Sequence, residues 1–133
     1  VSEGLRVEIA DLASFPAALA AARAAGVPLV LESPPAAAGW QGIGWWRELV
    51  ALARAAAPEW EVRAVLDCGS APGLALAALR AGCEAVRLAG EGPARAALEA
   101  LAPALGGEVL PPRRMGGLPP APGRGEAPDP LSF

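Results

Sequence analysis

Asp11, Glu32, Asp67 and Glu91 each follow a short apolar run. If those runs are parallel strands, the four carboxylates gather on one rim. Such a rim can hold Mg²⁺, which takes oxygen ligands and often uses only one or two protein carboxylates. It can also hold a ribose hydroxyl pair, or supply general acids and bases. A plainer role competes with these: Asp and Ser after a strand cap the next helix, and acidic groups suit its N-terminal dipole. Glu32 and Asp67 are the stronger candidates of the four.

The residue types available narrow the chemistry further. All 11 basic residues are arginine, and the chain has no Lys, His, Tyr, Asn or Thr. A Schiff-base or P-loop lysine, a histidine base or metal ligand, a Ser-His-Asp triad and a Tyr-Lys couple are therefore impossible within this chain. Cys68 sits beside an expected helix start, a position that lowers thiol pKa, but it has no histidine to act as its base. A structural cysteine is the reading adopted. Two cysteines, Cys68 and Cys83, do not make a disulfide framework. The net charge of −3 and the single basic pair, Arg113-Arg114, argue against binding driven by nucleic-acid phosphates.

The elements that must position these residues alternate regularly. Residues 5–10 alternate apolar and polar positions, as a half-buried strand does. Ser14 is then a candidate cap for a helix with Pro16 in its first turn, ending at Gly26. Residues 27–31 are continuously apolar, as expected of a strand buried on both faces, and end at Glu32-Ser33. A Pro/Gly-rich loop over 34–44 precedes a helix from Trp45, whose stripe of Trp46, Leu49, Val50, Ala53 and Ala57 follows helical spacing. Strands at 62–66, 85–89 and 108–110 are separated by helices at about 72–81 and 93–102. Ser70 is the cap candidate for the first of these two helices.

The pattern β-α-β-α-β-α-β-α-β requires helical crossovers between parallel neighbours. The expected fold class is α/β, a mainly parallel five-stranded sheet in a Rossmann-like or flavodoxin-like domain over residues 1–111. A Pro/Gly-rich arm over 112–133 follows, with Leu118, Leu131 and Phe133 as anchors for packing on the body or on a second copy. No apolar run approaches the ~20 residues of a membrane helix. The chain shows no basic segment leading into an apolar core, so a cytoplasmic protein is the expectation.

Ligands of open parallel sheets bind outside the strand carboxyl ends. The expected binding set is therefore Glu32, Ser33, Trp40, Gln41, Asp67, Cys68, Gly69, Ser70, Gly73, Gly90 and Glu91, with no metal assigned. The loop after Glu32 is longer than most strand-to-helix connections, and long rim loops often carry function. It brings Trp40 and Gln41 close in sequence to Trp45 and Trp46, as a pocket wall or an interface anchor would. Packing of Trp46 in the core, with Trp40 stapling the loop, is the competing reading.

Residues 65–74, Val-Leu-Asp-Cys-Gly-Ser-Ala-Pro-Gly-Leu, resemble motif I of the S-adenosylmethionine-dependent methyltransferases. That resemblance implies that Asp67, Gly69, Ser70 and Gly73 line a cofactor. It covers about ten residues, and the strand arrangement around it departs from that family's. The joint at residues 78–88 is similar to the helix-to-strand joints of (β/α)8 barrels, which implies half a barrel as an alternative fold. Three functions follow: binding of a small anionic or nucleotide-like ligand at the rim, assembly through the Trp-rich loop and the arm, or an enzyme using carboxylates. The identity of any cofactor stays open.

Overall fold

The computed structural model describes residues 4–113. The strands are β1 (Leu5–Glu8), β2 (Leu29–Glu32), β3 (Val62–Asp67), β4 (Ala85–Arg87) and β5 (Glu108–Leu110). The helices are α1 (Phe15–Ala25), α2 (Ala37–Trp40), α3 (Ile43–Ala56), α4 (Pro72–Arg80) and α5 (Pro93–Leu101). Short 3₁₀ turns at Leu12–Ser14 and Ala102–Leu105 precede α1 and β5. All strand pairs are parallel. The α/β sheet with helical crossovers that the sequence alternation predicts is thus present. The anchors Leu118, Leu131 and Phe133 lie outside the described residues.

Strand order along the sheet is β1-β2-β3-β4-β5, the order along the chain. Every crossover therefore steps the same way. Because such crossovers are right-handed, their helices all fall on one face. The side chains bear this out. Leu5, Leu29 and Val62 share one row, Val7, Leu31 and Ala64 the next, and all but the partly buried Leu5, which packs against it, belong to the cluster that contains the helix residues Phe15, Trp46, Leu49, Ala75 and Leu79. Sequential strands beneath a single helical layer are also the arrangement found around a (β/α)8 barrel.

Alanines make this layer close. Ala18, Ala22, Ala53, Ala75 and Ala78 are all fully buried where helices meet the sheet. Trp46 is the largest side chain in that layer and is 2% exposed. Helix α1 ends where Gly26 adopts φ 68°, a left-handed cap that satisfies the last carbonyls through its own N–H.

The opposite sheet face is different. Its rows are Arg6-Val30-Arg63, Glu8-Glu32-Val65 and Asp67-Arg87-Leu110. Val30, Val65 and Ala85 form a second small cluster, with Leu110 against it and no helical residue among its described members. This face holds most of the buried charge of the described residues.

Candidate functional site at the strand carboxyl ends

Glu32 closes β2 and is 0% exposed. Arg87 on β4 reaches across β3 and donates to both of its oxygens, Nη2 to Oε1 at 2.5 Å and Nε to Oε2 at 3.1 Å. Arg6 on β1 donates to Oε1 from the other side, at 2.6 and 3.2 Å. Arg113, three residues past β5, sets its Nε 3.5 Å from Glu32 Oε2 and 3.6 Å from Asp67 Oδ2. Its Nη1 pairs with Glu8 on β1 at 2.6 Å, and its Nη2 donates to the Ser33 carbonyl.

Arg113 thereby joins the two edges of the sheet. A flat five-stranded sheet places its edge strands ~19 Å apart, four spacings of ~4.8 Å. Three extended residues span at most ~11 Å. The long arginine side chain and the coil of the sheet close the difference. Arg87 holds the same segment by donating Nη1 to the Pro111 carbonyl at 2.8 Å. Three guanidiniums, Arg6, Arg87 and Arg113, so face three carboxylates, Glu8, Glu32 and Asp67. Burial pushes the Glu32 carboxyl above its usual range, while Arg6 and Arg113 pull against that rise.

Asp67 organises the rim itself. Its Oδ1 accepts the Gly69 N–H at 2.8 Å and the Ala36 N–H at 3.0 Å. One oxygen thus ties the loop after β2 to the turn after β3. Ser33 adds a second tie, its hydroxyl accepting the Asp67 N–H at 2.8 Å and donating to the Pro34 carbonyl at 3.1 Å. Gly69 has φ 60°, and a Cβ there would lie 3.2 Å from Ala36 Cβ, so the turn needs a residue without one. Ala36 has φ 55°, the only left-handed non-glycine residue described. That conformation costs an alanine about 1 kcal/mol or more, and the bond to Asp67 helps to hold it.

The expected binding residues separate into two groups. Glu32, Ser33, Asp67 and Cys68 are buried and form the scaffold, whereas Trp40, Ser70, Gly73, Gly90 and Glu91 are exposed. Gln41 and Gly69 lie between these extremes, and the Gln41 amide oxygen is buried without a hydrogen-bond partner among the described residues. Trp40 is 61% exposed, and its indole N–H bonds the Pro35 carbonyl at 2.9 Å. The short helix α2, absent from the sequence reading, carries Trp40, and Gly39 packs toward Leu74 on α4. Gly73 lines an apolar groove between α4 and α5.

Neither expected cap serine bonds its helix with its side chain. Ser14 does occupy the cap position of α1, but its N–H and hydroxyl both donate to Asp11 Oδ1, at 3.1 and 2.8 Å, and Asp11 caps the preceding 3₁₀ turn. The cap position of α4 falls on Ala71, not Ser70, and no side chain caps that helix. Among the described residues, no three of Cys, Asp and Glu group as a metal site.

Sequence reasoning missed the three arginines. Arg87 is the single charge of an otherwise apolar strand and Arg6 alternates with Glu8 as a solvent-facing residue would, and neither pattern gives a signal of a partner 26 or 55 residues away. Arg113 follows the last strand, in a stretch that reads as linker.

Burial pushes the Cys68 thiol up to about 12, and the neighbouring Asp67 carboxylate adds to the rise. A neutral thiol that is 2% exposed is a poor nucleophile. In the native protein, Cys68 is expected to resist iodoacetamide at pH 8 and to react fully once urea unfolds the chain. Peptide mass spectrometry reads this directly, and rapid native labelling of Cys68 would contradict it.

The chain matches no known protein family and no curated protein. None of the described helices is long and apolar enough to cross a membrane.

Proposed function

We propose that this chain is a binding domain for a small anionic, nucleotide-like ligand seated at the strand carboxyl ends. The observation that carries this reading is the pair of N–H bonds accepted by Asp67 Oδ1, which ties the Trp40 loop to the turn between β3 and α4 and helps to hold Ala36 left-handed. Backbone strain held by surrounding structure gathers at binding sites. The buried rim carboxylates are already matched by arginines and N–H donors, which disfavours a cationic ligand. The Ser70 hydroxyl and the amide end of α4 remain exposed at the rim, and these donors suit an anion. Trp40 supplies a flat face of the kind a base or sugar packs against.

Thermal melting with ADP, S-adenosylmethionine, a sugar phosphate and uncharged adenosine tests this. S-adenosylmethionine belongs in the set because of the motif resemblance at residues 65–74. A rise in Tm that requires the anionic group is expected. Trp40→Ala should change stability by no more than about 0.5 kcal/mol, since the side chain is mostly exposed, and should shrink the ligand-induced rise. No rise with any of the four ligands would reject the reading.

A second reading, assembly, has its own observation. Leu12 and Leu52 are 40% and 45% exposed and flank an apolar groove of about 300 Å³ beside Trp45. If that groove joins two copies, Leu52→Glu should convert a dimer to a monomer in light scattering. A wild-type chain that stays monomeric at all concentrations would remove this reading.

A further inference from the structure

The groove beside Trp45 lies between the turn after β1 and the first half of α3, and is lined by Leu12, Trp45, Leu49 and Leu52. Leu12 and Leu52 stand 40% and 45% exposed, so its apolar surface is open to an occupant. The Trp45 ring rests against Trp46, with centroids 5.7 Å apart, and forms a braced aromatic wall. Asp11 and Glu48 complete the lining. The groove is therefore apolar, with an aromatic wall and a negative border.

One stretch of the chain complements all three features. Leu118-Pro119-Pro120-Ala121-Pro122-Gly123-Arg124 has prolines three apart and an arginine two residues beyond the second. No acidic residue falls between Glu108 and Glu126, so the stretch is cationic. Proline-rich segments dock in aromatic-lined grooves as extended, preformed helices that lose little entropy on binding. The described residues also end close to the groove. Arg113 pairs with Glu8 at 2.6 Å. Glu8 precedes Asp11 by three residues, at most ~11 Å of chain. At ~3.1 Å per residue, an extended Leu118 lies ~16 Å and Arg124 ~34 Å along the chain from Arg113, so the groove is within reach.

We propose that residues 118–124 dock in this groove of their own chain, with Pro119 and Pro122 against Trp45 and its leucines and Arg124 paired with Glu48. Glu48 is exposed and makes no ion pair among the described residues. Tethering supplies an effective concentration of about millimolar, which keeps even a weakly held segment seated. A second copy and this segment exclude one another at the groove, so the proposal opposes the assembly reading.

The test uses the full isotope-labelled chain and reads proton–proton contacts by nuclear Overhauser effect. Contacts between the Trp45 ring and the rings of Pro119 and Pro122 are expected at every protein concentration. In a mixture of labelled and unlabelled chains, filtered spectra should contain no such contact between copies. Arg124→Glu should lose the contacts, and so should Pro119→Ala combined with Pro122→Ala. Unchanged amide shifts in β2 and β3 confirm the fold of each variant. No contact between Trp45 and either proline, contacts found only between copies, or contacts undiminished in Arg124→Glu would each overturn the proposal. Contacts between copies would assign the groove to a second chain instead. Ser70 and Gly73 take no part in these readouts, so failure here leaves the nucleotide test standing, and the reverse holds.

Discussion

Arg87→Met is expected to cost about 3–5 kcal/mol of folding stability, the usual result of removing one partner from a buried ion pair. Arg87 is 5% exposed, Glu32 is 0% exposed, and two of the hydrogen bonds to that carboxylate come from Arg87. Domains of this size hold about 5–15 kcal/mol in total, so much of the margin goes. Arg6 and Arg113 remain near Glu32, but Arg6 is 38% exposed and spends part of its field in water. The loss also depends on pH. Burial holds the folded pKa of Glu32 above its unfolded value. The contribution of such a carboxyl is greatest below its ordinary ~4.3 and is lost as pH rises through the folded value. Removing Arg87 raises that value further, so the variant should lose more stability at pH 8 than at pH 5. Adding Glu32→Leu should restore most of the loss, because replacing both partners with apolar groups is often neutral. Urea denaturation of both variants at the two pH values measures this. A single variant as stable as wild type at pH 8 would show that the charge network does not hold the sheet.

The second large effect is expected at Asp67. Asp67→Ala removes the acceptor of two backbone N–H bonds and one counter-charge of Arg113, for about 2–4 kcal/mol in charge-assisted hydrogen bonds. Ala36 then loses the bond that helps to hold its left-handed conformation, and the loop relaxes. Hydrogen exchange should quicken at Ala36 and Gly69 while the amides of β2 and β3 stay protected. Asp67→Asn keeps an acceptor oxygen, so it should recover the loop and much of the stability. If Asp67→Ala leaves exchange at Ala36 and Gly69 unchanged, the loop is held by something other than this carboxylate.

The fold was legible because its signals are local. Strands of four to six residues such as β2 and β3 stand out as apolar runs, and Pro16, Pro72 and Pro93 mark helix starts while Gly26 marks a stop. Strand order was not legible, since alternation of elements leaves open which strands are neighbours. The rim was legible in part. Strand ends locate Glu32 and Asp67, but their partners come from other strands. A lone arginine in an apolar strand looks alike whether it faces solvent, as Arg63 partly does, or a buried carboxylate, as Arg87 does. The entry to α1 shows the same limit. Asp11 and Ser14 are both good cap residues three apart, and only geometry decides that Asp11 caps the 3₁₀ turn while Ser14, at the cap position of α1, donates to it.

Amide chemical-shift mapping during titration with ADP tests the rim site most directly. The account predicts saturable shifts at Gly69, Ser70, Gly73 and the Trp40 indole N–H, all of them lost in Asp67→Ala. No saturable shift at the rim, or shifts confined to residues away from it, would contradict it.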